Sequence, residues 1–268
     1  MKLSVAVTPR ESQFAPIPFR GSVLEGVKSS AELGYEGVEL HICSSEDIDI
    51  PALDQALEET GIEVSSIGSG MLYGDLGLSL SSEKEDVRDQ AVEKLKDLVD
   101  FSSRYDAQLI IGLVRGIVEE GGDRNEALQR LEDSLGYCCD YGSQKDVILT
   151  LEAINRYETN IFTGAKETAE FIRNMGKDNL KLHLDTFHMN IEEPNLVESI
   201  RATEDILSHV HFADSNRYSP GRGHIDFEAI IQTLEEVNFS GYGAVEVLPE
   251  PDGYTAARNS FDHLNSIL

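Results

Sequence analysis

The stretch "LHLDTFHMNIEE", residues 182–193, packs two histidines and three carboxylates into the end of an apolar run. Three other segments end alike. "TLEA" sets Glu152 between Leu151 and Ala153, "HVHFAD" sets His211 between Val210 and Phe212, and "AVEVLP" sets Glu246 between Val245 and Val247. Side chains alternate along a strand, so an ionisable residue between two apolar neighbours faces away from the surface they pack. Three carboxylates and an imidazole brought together in a low-dielectric space would each be pushed from its ordinary pKa unless a cation compensates. An oxygen-rich donor set with one nitrogen and no sulfur suits Mn²⁺, Mg²⁺ or Co²⁺ better than a structural Zn²⁺. The alternative is that these are ordinary polar residues of a protein interior, where Lys181, His183 and His209 also point.

The elements that would carry them recur along the whole chain. Eight short aliphatic or β-branched runs, at 2–8, 36–42, 62–67, 108–114, 147–152, 180–185, 208–213 and 242–248, are each followed by helical spacing. Val87, Ala91, Leu95 and Leu98 share one helix face, as do Leu128, Leu131, Leu135 and Cys138, and Tyr254, Ala257, Phe261, Leu264 and Leu268. Eight strand–helix alternations without a composition shift predict a single (β/α)₈ TIM barrel domain over residues 1–268. A doubly wound open sheet would usually carry a Gly-rich turn after its first strand, and "TPRESQFAPIPFRG" carries none. In a barrel the active site lies at the C-terminal ends of the strands. Glu152, Asp185, His211 and Glu246 end strands five to eight and should converge there at one height.

Composition narrows the partners. Forty-nine acidic against 22 basic residues give a net charge of −27, which disfavours nucleic acid and anionic membranes. The charge is spread over the helices rather than blocked into a run, so it reads as a solvated surface, as a high-salt habitat would also produce. No apolar span reaches membrane length, and "MKLSVAVTPR" reads as a first strand rather than a signal peptide. Three cysteines, two of them adjacent (Cys138, Cys139), give no disulfide framework and fit a reducing cytoplasm, with the pair as packing residues.

"LEAINRYETN" (151–160), "LHLDTFHMNIEE" (182–193), "HFADSNRYSPGRGHIDF" (211–227) and "AVEVLP" (244–249) together resemble the ketose 3-epimerases. These are the D-tagatose and D-allulose 3-epimerases and their keto-gluconate-epimerase relatives among the xylose-isomerase-like barrels. The resemblance implies that Glu152, Asp185, His211 and Glu246 bind Mn²⁺ or a similar ion, and that Glu158, His188 and Arg217 contact substrate. It also implies that Glu152 and Glu246 act from opposite faces. Inverting the carbon beside a ketone requires removing its proton, holding an enediolate and returning a proton on the other face. A bound cation would polarise the carbonyl and two opposed carboxylates would serve as base and acid.

Other positions are open to more than one reading. Free-ketose members tend to place a tryptophan near the end of strand four; this chain has none, and "IIGLVRG" ends there with Arg115. With "IGSGMLYGDLGLSL" this looks closer to a branch acting on 5-keto-L-gluconate, and Arg115 at the mouth could pair with a sugar-acid carboxylate. It could equally point away. "SPGRGH" beside Arg217 is not a phosphate fingerprint. Glu39 and His41 could reach the mouth or be hydrogen-bonded in the core. A dehydratase of an inositol-derived ketone or a sugar-phosphate isomerase could use the same barrel. A small-molecule ketose or keto sugar acid is the expected partner, and relatives suggest a homodimer or homotetramer.

Overall fold

The computed structural model describes residues 1–10 and 16–268. Nine strands form one parallel sheet: β1 (Lys2–Thr8), β2 (Phe19–Arg20), β3 (Gly37–His41), β4 (Glu63–Gly68), β5 (Gln108–Ile111), β6 (Leu149–Glu152), β7 (Leu180–Asp185), β8 (Leu207–Phe212) and β9 (Tyr242–Val245). Neighbours follow chain order and β1 pairs with β9, so β1 and β3–β9 close an eight-stranded barrel. The two-residue β2 only extends the edge of β1, at Val7 and Thr8. Strands five to eight of the sequence reading are therefore β6 to β9.

A helix follows each barrel strand, over Val23–Leu33, Ile50–Thr60, Glu85–Arg104, Arg124–Ser143, Ala165–Met175, Leu196–Arg201, Phe227–Glu236 and Gly253–Asn265. Two of the anticipated apolar faces are buried along most of their length, at Ala91, Leu95 and Leu98 and at Leu131, Leu135 and Cys138, each 0% exposed; on the third, Ala257 and Leu264 are buried while Tyr254 and Leu268 are exposed. Full burial of such side chains contributes roughly 1.5–3 kcal/mol apiece for the larger ones. Part of the acidic excess caps helices: Asp49, Asp123, Asp226 and Asp252 accept from backbone N–H groups of the first turns. Cys138 and Cys139 are buried, and burial pushes both thiols up to about 12.

Alternation sorts the strands as expected. Leu149, Leu151, Leu182, Leu184, Val210 and Phe212 join the hydrophobic core, while Ser4, Glu39, Ser66, Thr150, His183 and His209, all 0% exposed, make the barrel's own interior unusually polar.

Candidate active site

The side chains singled out in the sequence meet at the C-terminal mouth, around a cavity of about 410 Å³. Glu152, Glu158, His188, His211, Arg217 and Glu246 line it; Asp185, 0% exposed, is not part of the lining but accepts from Arg217, which is. The four strand-end residues do not stand at one height. Glu152 is opposite His183, Asp185 opposite His211, and His211 opposite Ala244, so Asp185 and Glu246 each lie two residues beyond their neighbour's partner. This stagger follows from the strand tilt that closing a barrel demands, and the tilt is also what makes the side chains converge. Glu246 lies one residue past the end of β9.

Donor atoms of Glu152, Asp185 and His211 fall within 4.8 Å of one another. His211 Nδ1 has no hydrogen-bond partner and stands 3.3 Å from Glu246 Oε2 and 3.8 Å from Asp185 Oδ2. Glu152, Asp185 and the His211 imidazole around a common point, with Glu246 Oε2 beside His211 Nδ1, make a donor set that fits a divalent cation. Burial, with the charges of Glu246 and Asp185, pushes Glu152 up to about 8, against the opposing pull of His211 and Arg115. Burial would raise Asp185 and Glu246 as well, but His211 and Arg217 hold both below the ordinary carboxylate range. The same carboxylates, with Glu39, hold His211 well above its ordinary value despite its burial.

Arg217 sits between Asp185 and Glu246 and donates to both, with its guanidinium 4.8 Å from the centroid of the Phe187 ring. Its backbone adopts φ +63°, a left-handed conformation uncommon for a long side chain. The loop supplies the restraint. Arg217 N–H donates to Asp214 O (2.8 Å) and its carbonyl accepts from Leu248 N–H (2.9 Å). The Asp214 carboxylate in turn accepts from the N–H groups of Ser215, Gly221 and Ile225.

Below the mouth, Glu39 of β3 is the buried hub. It accepts from Ser66 Oγ (2.6 Å), His41 Nε2 (2.8 Å) and His209 Nε2 (2.8 Å), and His211 Nε2 stands 2.9 Å away. A carboxylate against Nε2 leaves Nδ1 of His211 to face Asp185 and Glu246, the arrangement that orients ligating histidines in metal sites. A β-bulge between Val38 and Glu39 brings Glu39 opposite Ser66. Of the two residues left open in the sequence, His41 lines the cavity and Glu39 is wholly internal.

Arg115 corrects an expectation. The run 108–114 is not all strand: β5 ends at Ile111 and a 3₁₀ turn over Leu113–Arg115 folds the chain back between Gly112 and Gly116. Arg115 is 0% exposed and absent from the cavity lining. Its guanidinium donates to the carbonyls of Gly112 (3.0 Å), Ile111 (3.4 Å) and Phe162 (3.5 Å), and burial lowers it to about 10. It is a structural buttress behind Glu152, not a group that a sugar-acid carboxylate could reach. That wall of the cavity is instead Ile110, Gly112 and Leu113, with Gly68, Gly70 and Met71 beside them. A Cβ on Gly112 would stand 3.2 Å from Glu152 Oε2, so the glycine gives that carboxylate its room.

Asn155 was not anticipated. It is 1% exposed and bridges Glu158 and His188 through its amide nitrogen. An uncharged residue gives no signal by type; the only sequence hint was its place three residues before Glu158. A second cleft, of about 610 Å³ and including Glu63, Gln108, Ser208 and Tyr242, opens at the N-terminal ends of the strands and holds none of the residues above. Among the described residues, no helix is long and apolar enough to cross a membrane.

The fold agrees with known proteins. Residues 27–267 match the xylose isomerase-like TIM barrel family. The chain is 32% identical over 216 residues to L-ribulose 3-epimerase of Mesorhizobium japonicum, covering 79% of this chain and 71% of that one. It is 28% identical over 221 residues to ketose 3-epimerase of Arthrobacter globiformis, covering 80% and 74%. The crystal structure of 3-keto-D-glucoside 4-epimerase from Escherichia coli superposes with a TM-score of 0.84 at 22% identity, over 99% of both chains. The chain belongs to the xylose isomerase-like TIM barrel family and, within it, groups with the sugar epimerases as an enzyme of the isomerase class.

Proposed function

We propose that this protein is a divalent-metal-dependent epimerase that inverts C3, the carbon beside the ketone, of a neutral ketose. The observation that carries the reading is the pair of buried carboxylates, Glu152 on β6 and Glu246 after β9, which line one cavity around Asp185 and His211. Glu152, Asp185, His211 and Glu246 would hold the ion. Mn²⁺ suits this donor set, with Mg²⁺ or Co²⁺ as alternatives. When bound, the ion supplies polarisation of the ketone and stabilises negative charge on its oxygen.

The residues do the rest. One glutamate takes the proton from the carbon and the other returns one on the opposite face, a reading supported by their origin on separate strands, Glu152 at the end of β6 and Glu246 just after β9. His188 and Glu158 hold the hydroxyl groups, and Arg217 offers charge beside Glu246 and Asp185. The small and apolar wall from Gly68 to Leu113 shapes the far side and keeps water from the reacting carbon.

A neutral substrate is favoured over a keto acid for two reasons. Among the described residues that line the cavity, Arg217 is the one Lys or Arg, and it pairs with Asp185 and Glu246. The lining also includes Asp75 and Glu158, which would repel a carboxylate. The test is NMR of the Mn²⁺-treated enzyme in D₂O with D-fructose, D-tagatose, L-ribulose and 5-keto-L-gluconate, each offered separately. Deuterium at C3 together with the epimeric product, from a neutral ketose, is expected. Exchange with loss of a hydroxyl would replace the reading with a dehydratase. Turnover of the keto acid alone would overturn the neutral-substrate part.

A further inference from the structure

We infer that Asn155, which does not line the cavity, is a positioning residue that fixes the tautomer of His188, so that His188 presents an N–H donor to the substrate. Three contacts set the orientation of the Asn155 amide. Its Oδ1 accepts from Tyr157 N–H at 2.9 Å, its Nδ2 donates to Glu158 Oε1 at 2.8 Å, and its Nδ2 lies 2.6 Å from His188 Nδ1. Turning the amide over would set NH₂ against an N–H and oxygen against a carboxylate, so the assignment is determined by its neighbours. An amide nitrogen has two hydrogens and no available lone pair. Both hydrogens are thereby used, and the atom it meets on His188 must accept.

His188 Nδ1 is therefore the unprotonated nitrogen and Nε2 carries the hydrogen. Nε2 is the atom that faces the reaction centre, 3.6 Å from Glu152 Oε1 and 3.9 Å from Asp185 Oδ2. The ring is 4% exposed and, with Nδ1 accepting from the Asn155 amide and Nε2 carrying its one hydrogen, it is a neutral donor. A neutral N–H at that point hydrogen-bonds an oxygen of the sugar and strengthens as charge develops there, without adding a second full positive charge beside Arg217. The same amide holds Glu158, so one residue behind the cavity sets both groups of this wall.

The kinetic half of the test rests on the epimerase reading; the spectroscopic half does not. In the Mg²⁺-loaded full-length protein, a ¹⁵N–¹H imidazole spectrum, with His188 assigned by its loss in His188→Gln, is expected to show a neutral ring protonated at Nε2. A wild-type His188 protonated at Nδ1 would overturn the inference with no variant needed. Asn155→Asp exchanges one NH₂ for oxygen and requires a proton on Nδ1. Its His188 signal should move to the Nδ1–H form or to the doubly protonated ring, and kcat should fall by about 10²-fold with a smaller change in KM. Asn155→Ala removes both bonds but leaves Nδ1 free to accept from water, so its kcat should fall less. If packing alone were at stake, the truncation would be the more damaging change, and that order of effects would overturn the inference. Should the wild type turn over none of the sugars, the function reading fails and the spectra alone decide on Asn155.

Discussion

The two halves of the barrel are built from the same strand–helix unit but spend their strand ends differently. On β6 to β9 each strand ends at or next to an ionisable side chain, Glu152, Asp185, His211 or Glu246, buried and turned to one point. On β1 and β3 to β5 the corresponding wall is mostly glycine and aliphatic, with Gly68, Gly112, Ile110 and Leu113 at the cavity and His41 and Asp75 as its polar exceptions. Of the charges that this half buries, Arg115 holds backbone carbonyls and Glu39 points inward beneath the mouth, against His41, His209 and His211. The lesson is a division of labour. On the function proposed above, one half would supply the groups that change protonation, and the other supplies space and, through Glu39, a fixed contact to His211.

The comparison can be broken most sharply at the chemical half. Glu246→Gln keeps size and removes a proton acceptor, and should cut turnover by about 10²–10⁴-fold in the D₂O assay. A rate near that of the wild type would end the two-glutamate scheme. Arg115 tests the structural half. Arg115→Ala leaves a cavity and three freed carbonyls, and should cost about 2–5 kcal/mol in urea unfolding. It should raise KM for a keto-hexonate and for a neutral ketohexose in equal proportion; a selective loss for the acid would return Arg115 to the substrate. Glu39→Gln sharpens the link between the halves: the amide cannot accept from all its present donors, and Mn²⁺ affinity should drop about 10–100-fold in a chelator competition.

The smallest effect is in pH. Without a cation, Glu152 is pushed up to about 8 and His211 is raised, so both carry protons at neutral pH. A cation must displace those protons. Affinity should therefore rise with pH through the range up to about 8 in which Glu152 loses its proton, by at most about tenfold per pH unit for each proton released. Calorimetry in buffers of different ionisation enthalpy counts the protons directly. A flat affinity between pH 6 and 8, on the order of two units, would mean that the ion does not touch Glu152.

How far the sequence carried this depended on what kind of order was being read. Period-two alternation exposed the eight barrel strands and their inward residues, because it depends on neighbours alone. The two-residue β2 is too short to have a period. Register is set by tilt and closure, so the stagger of Asp185 against Glu152 could not be read from strand ends. Arg115 misled because its direction depends on a 3₁₀ turn between two glycines, not on the strand before it. Asn155 and Glu39 gained their places from partners far along the chain, His188 in one case and His209 with His211 in the other.

Arg217 has a further consequence, for how such a protein comes into being. Three carboxylates buried at one point would ordinarily make an ion a condition of folding, as it is in small zinc-bound domains. Here a guanidinium carried by the chain itself already bridges Asp185 and Glu246, held by the Asp214 turn. If the ion proposed above binds, it would enter a barrel already folded, so that metal supply would govern how much of the protein is active rather than how much of it exists.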